Sequence, residues 1–122
     1  MEQDSLSEIK LLAEKERDEL LEKVYLLMAD GVVVRDPHRL DIRGELRCGS
    51  GVEIDVNVVV EGSVVLEDGV TIGANCILRE CKIGKESVIN SFSLVEDAVF
   101  GKQSFVGPYG RVRPGSRVGD QV

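Results

Sequence analysis

One periodicity constrains what this chain can fold into. From Ile42 onward an aliphatic side chain returns every sixth residue, at Ile54, Val60, Leu66, Ile72 and Leu78, with Cys48 the single smaller member. After one five-residue step the series resumes at Ile83, Ile89 and Val95, and after a second at Phe100, Val106, Val112 and Val118. Four residues beyond each anchor the side chain is mostly Val, Leu, Cys, Ser or Gly, as at Val52, Val58, Val64, Val70, Cys76, Ser87, Ser93, Val99 and Ser104. The residue after the anchor is often Gly, Glu or Asp. A large inward anchor, a small inward companion and a polar or glycine corner describe short strands joined by tight turns. Three such strands close a triangular coil of about 18 residues, and stacked coils bury a continuous apolar column. The two shortened units begin at Leu78 and Val95, three units apart, which puts both deletions on the same side of successive coils. The expected fold is therefore mainly β, a parallel β-helix, rising about 19 Å over four coils at roughly 4.8 Å each.

The segment before the repeat is a different object. Residues 1–30 carry nine acids against four bases, whereas residues 31–122 are nearly balanced. Ser5-Leu6-Ser7-Glu8 has the form of a capping box, so a helix is expected to start there, to run without Gly or Pro through Met28, and to stop at Asp30-Gly31. Its apolar residues gather at two ends, around Leu6–Ala13 and Leu20–Met28, separated by Glu14-Lys15-Glu16-Arg17-Asp18-Glu19. Six consecutive charges cannot be buried without a large desolvation cost, so the middle is expected in solvent, with the second end packed on the β-helix and the first on another surface. The chain divides into a helix over 1–30, a capping segment over 31–41 and a partial β-helix of about four and a half coils over 42–122. No terminal cap is visible after the last anchor, from which a longer protein or an end covered by another chain is expected.

A formal net charge of −7 disfavours binding to nucleic acid, which rests on neutralising phosphates with Lys and Arg. No apolar run reaches the roughly 20 residues of a membrane span, no secretory leader is visible, and three cysteines are an odd number for a disulfide framework; a cytoplasmic setting is expected. His38 is the only histidine, so a three-histidine zinc site is excluded, and it is assigned to a turn after Pro37. Thr71 is the only threonine, which removes a ranked threonine array of the ice-binding kind. Cys76 is placed in the core and Cys81 near a corner, so they are not expected to form a metal or redox pair. Phe105 and Tyr109 are expected to pack a corner or a contact between subunits.

Three stretches are more specific than the repeat: residues 34–44 (VRDPHRLDIRG), 52–62 (VEIDVNVVVEG) and 106–115 (VGPYGRVRPG). They resemble the middle of the bacterial bifunctional UDP-N-acetylglucosamine pyrophosphorylase / glucosamine-1-phosphate N-acetyltransferase, over about residues 20–122, with residues 1–19 unlike that family's helix. The resemblance implies a left-handed β-helix, a homotrimer, and a linker helix leading from a nucleotidyltransferase domain. It also implies cytoplasmic UDP-N-acetylglucosamine synthesis for cell wall and lipopolysaccharide. Acetyl-CoA as substrate and magnesium belong, in that family, to parts with no counterpart here, so the chain is expected to hold no catalytic residue, metal or cofactor. One family residue carries over: the second arginine of Arg-x-Arg-Pro-Gly, which contacts the sugar-nucleotide phosphate, matches Arg113, with Arg111 and Arg117 nearby. A non-catalytic trimerising scaffold is the leading expectation. The alternatives are a chain that retains weak UDP-N-acetylglucosamine binding and a stand-alone or designed β-helix module.

Overall fold

The computed structural model describes residues 2–122; Met1 lies outside them. Helix α1 spans Glu2–Ala29. It therefore runs straight through Ser5–Glu8, and the capping box expected to begin it lies inside it. The other end follows the sequence. Gly31 adopts φ +101°, its N–H donates to Met28 O at 3.0 Å, and Val32 N donates to Leu27 O at 3.1 Å. This is the Schellman arrangement, which glycine favours because no Cβ opposes the left-handed turn.

Behind the helix the chain winds through eleven strands, all paired in parallel. Five two-residue strands stack as β1(Val33–Val34), β3(Glu53–Ile54), β5(Thr71–Ile72), β7(Val88–Ile89) and β9(Phe105–Val106), making one face. The longer strands β2(Leu40–Cys48), β4(Val58–Leu66), β6(Ile77–Ile83) and β8(Leu94–Phe100) supply the other two, continued upward by β10(Arg111–Val112) and β11(Ser116–Val118), which both pair with β8. Each long strand serves two faces by bending midway, at Gly62 (φ 66°), Glu80 (φ 44°) and Asp97 (φ 43°) in β4, β6 and β8. The architecture is a left-handed parallel β-helix of about five coils behind one N-terminal helix.

Anchors stack on anchors. Ile42, Val60, Leu78, Val95 and Val112 form one register column, and Ile54, Ile72, Ile89 and Val106 another. Nearly all are buried, and Leu40, Leu66, Ile83 and Phe100 join them in one core cluster. Both five-residue units fall on the same corner: the register shifts between Glu61 and Val64 where β4 meets β6, then runs unshifted from β6 to β8. At that corner the six-residue units turn through Gly62 and Ser63, whereas the short ones turn through Glu80 or Asp97 alone. The inward companion consequently lies three residues after the anchor, not four. Ala98 is buried and Val99 exposed, and Cys81, expected near a corner, is buried in the core beside Val64.

Residues 33–41 belong to the solenoid as well as to its end: β1 pairs with β3, and Leu40 and Asp41 pair with Val58 and Val59. Covering the lowest coil falls to α1. Leu20, Val24 and Leu27, at i, i+4 and i+7, lie on one stripe of the helix, with Val24 fully buried and its neighbours packed against the core cluster. Tyr25, Leu26 and Met28 face outward, as do Leu6, Ile9, Leu11 and Leu12 at the other end and the charged residues between.

Inside the upper coils valine gives way to serine, as in the column Val52, Val70, Ser87, Ser104. These hydroxyls are fully buried yet satisfied: Ser87 Oγ donates to Gly101 O at 3.1 Å and accepts from Ser104 N at 3.0 Å. Among the described residues no buried side-chain N or O lacks a partner, as a close-packed interior requires.

Candidate functional site

Arg113 follows β10 on an outer corner and is exposed, as are Arg111 and Arg117. Pairing of Arg111 with Leu94 and of Val112 with Val95 carries Arg113 to the level above Glu96. Below it runs a column that alternates in charge. Arg43 registers with Glu61, Glu61 with Arg79, and Arg79 with Glu96. Arg43 Nη1 lies 3.3 Å from Glu61 Oε1, Arg79 Nε 2.9 Å from Glu61 Oε2, and Arg79 Nη1 3.3 Å from Glu96 Oε1. At its foot Arg43 Nε donates to Asp41 Oδ2 at 2.8 Å, and that hydrogen bond raises the already high pKa of the guanidinium. The glutamates keep 30% and 27% of their side-chain surface exposed and the arginines more, so solvent screening keeps the contribution of each pair small. The ladder has a signal in the sequence, Arg43, Glu61, Arg79, Glu96 and Arg113 spaced 18, 18, 17 and 17 residues apart, which the apolar period does not reveal.

At the corner before β10, a column of left-handed residues runs Asn57, Asn75, Phe92, Tyr109, each with φ near 60°. Its upper two members stack, with ring centroids 5.2 Å apart and planes 10° from parallel. Tyr109 therefore does pack a corner, although the rings stay largely exposed, whereas Phe105 stands on the outward side of β9. Ser93 Oγ accepts from Gly110 N at 3.2 Å and Asn90 Nδ2 donates to Val106 O at 3.1 Å, which ties the loop before Arg111 to the coil beneath.

The remaining candidates occupy structural positions. His38 lies in a 3-10 turn, Pro37–Arg39, capped by Asp36, whose Oδ1 accepts from His38 N at 3.0 Å. The three thiols are free, and burial pushes Cys48 up to about 11 and Cys81 up to about 12. Such thiols stay protonated at neutral pH and are poor nucleophiles. Among the described residues no three His, Cys, Asp or Glu side chains cluster so as to hold a metal ion, so magnesium finds no fitting donor set there. None of the helices described is long and apolar enough to cross a membrane.

Comparison with known proteins agrees with this picture. Proteins named "Bifunctional protein GlmU" match from Azoarcus sp. (50% identical over 111 residues, 91% of this chain) and Burkholderia multivorans (47%, 91%). The GlmU of Pseudoalteromonas atlantica is 43% identical over 116 residues, 95% of this chain. Matches of that extent necessarily take in much of residues 1–19, so the likeness reaches further into the helix than residue 20. The chain spans about a quarter of the length of these relatives (25%, 24% and 26%). Residues 42–122 match the family model described as the GMPPB C-terminal domain. On that coverage the chain belongs to this family, and its 122 residues correspond to one quarter of a bifunctional GlmU protein.

Proposed function

We propose that this chain is the stem of a bifunctional enzyme of UDP-N-acetylglucosamine synthesis: the linker helix and first coils, which carry no chemistry themselves and join three copies side by side. In this reading the whole enzyme transfers an acetyl group to glucosamine 1-phosphate and then a uridylyl group, in the cytoplasm, supplying precursor for cell wall and lipopolysaccharide. Acetyl-CoA and magnesium are handled by parts of the protein other than these coils.

The observation that carries the scaffold role lies on the outside of the prism. Ile77 and Leu94 register one above the other on the outward side of β6 and β8, each partly exposed, next to the exposed Phe92–Tyr109 stack. Apolar side chains aligned over two coils on an exposed face suit packing against another prism. The lower part of that face is overhung by α1, which leaves the upper coils for self-association. Light scattering over a dilution series is the test. A closed trimer of the 13.3 kDa chain gives about 40 kDa, and Leu94→Glu with Ile77→Glu should return it to one chain; a monomer at every concentration overturns the reading.

Arg113 favours a second, compatible role. The acid below it, Glu96, already pairs with Arg79, so its guanidinium is available to a phosphate. Titration with UDP-N-acetylglucosamine should move the amides of Arg111–Gly115, and Arg113→Ala should abolish the shifts. Equal shifts in both chains would exclude this role.

A further inference from the structure

The middle of α1 does not lie flat on the β-helix, and the gap is a groove of about 360 Å³. Arg17 and Leu20 of the helix form one wall; His38, Arg39 and Asn57 form the other, with Val59 contributing to an apolar floor. A neighbouring cleft under Ala13, Glu16 and Arg17 continues the gap along the helix toward Arg43.

The charges in the groove do not cancel. Its one carboxylate, Asp41, is engaged by Arg43, whose guanidinium lies 2.8 Å away. Arg39 spends its Nε on a neutral partner, donating to Asn57 Oδ1 at 3.0 Å, which orients the guanidinium without neutralising it. No ion pair forms at Arg17 or Arg39 among the described residues. Glu14, Glu16, Asp18 and Glu19 flank Arg17 along the helix, but none of them lies within ion-pair distance of it. Two guanidiniums without an ion-pair partner, one from the helix and one from the solenoid, thus line the same groove.

We infer that this groove is a binding site for a small phosphate ester, the phosphate bridging Arg17 and Arg39 and the organic part resting on Leu20 and Val59. Two arginines converging from separate elements can each offer paired N–H donors to phosphate oxygens, a geometry lysines cannot reproduce. The apolar floor distinguishes an ester from the bare ion. Because one wall is helix and the other solenoid, an occupied groove fixes the angle at which α1 leaves the β-helix. The inference stands apart from the role proposed for Arg113, at the other end of the stack.

The test is a titration of the full chain at constant ionic strength with phenyl phosphate, inorganic phosphate and benzoate, followed by amide shifts. The expected result is saturable binding of phenyl phosphate with shifts at Leu20, Arg39 and Asn57, and affinity for inorganic phosphate and benzoate each lower by about fivefold or more. Arg17→Gln, on an exposed turn of helix, should weaken it by about tenfold without loss of fold. Arg39→Lys should weaken it similarly while keeping the charge, and Arg113→Gln should leave it unchanged. Non-saturating shifts, equal affinity for benzoate, or an Arg17→Gln chain that binds as well as the parent would overturn the inference. Loss of binding in Arg113→Gln alone would place the phosphate at the upper corner and overturn it too.

Discussion

Replacing Leu78 with alanine puts the stacked column to a quantitative test. Leu78 is fully buried in the middle of its column, with Val60 beneath and Val95 above. Removing three carbons forfeits about 2.4 kcal/mol of transfer free energy at roughly 0.8 kcal/mol per methylene. The hole cannot close by collapse, because ladder hydrogen bonds fix the coils on both sides, among them Val59 N to Cys76 O and Ile77 N to Ser93 O, each 3.0 Å. A cavity cost is therefore added, giving about 3–5 kcal/mol in all. Against a typical domain stability of about 5–15 kcal/mol, that consumes much of the margin. Urea unfolding followed by far-ultraviolet circular dichroism, at one fixed protein concentration so that association contributes equally, reads the difference. Val99→Ala is the matched control: Val99 stands four residues after its anchor yet points outward, and its loss should cost under about 0.5 kcal/mol. A Leu78→Ala loss below about 1 kcal/mol, or a Val99→Ala loss of similar size, would refute the assignment of inward and outward positions.

Three further outcomes are expected. Gly44→Ala should cost at least about 2 kcal/mol in the same assay, because its Cβ would collide with Gly62 O and sit 2.7 Å from Gly62 N, both backbone atoms of the next coil; Gly51→Ala, with open space around it and only a left-handed φ of 70° to bear, should cost about 1 kcal/mol. Glu61→Gln removes the acid shared by Arg43 and Arg79 and should cost under about 1 kcal/mol, an effect that fades in 1 M salt. Burial holds the Cys81 thiol at about 12, so the folded chain keeps a proton that the unfolded chain releases near 9.0; this contribution to stability is complete below about pH 9 and is lost as pH rises toward 12, and Cys81→Ala should make that fall in unfolding midpoints shallower, the buried Cys48 at about 11 supplying part of what remains.

The repeat was legible because burial in a β-helix is periodic along the chain, so every sixth residue reports directly on the fold. Errors arose where a local rule competed with that period. At Ser5–Glu8 a capping signature predicts a helix start, yet the residues before it are compatible with helix and α1 begins at Glu2. At Cys81 and Val99 a fixed four-residue offset was carried into the shortened units, where the corner holds one residue fewer and the inward side chain comes one position earlier. Arg113 was marked by a motif, whereas its place above Glu96 needed a comparison between coils, 17 and 18 residues apart. The groove under α1 was not legible at all, since Arg17 and Arg39 come together only through the angle at which the helix meets the lowest coil.

The docking of α1 across the lowest coil also gives the stack a direction in time. The helix leaves a ribosome before the coil it covers, and every later strand pairs with one already made 17 to 20 residues earlier. Each addition closes a loop of nearly constant length, so its entropic cost stays the same however tall the stack becomes. Growth upward from a covered floor lets the chain be wound as fast as it is synthesised, with the newest coil always presenting the template for the next.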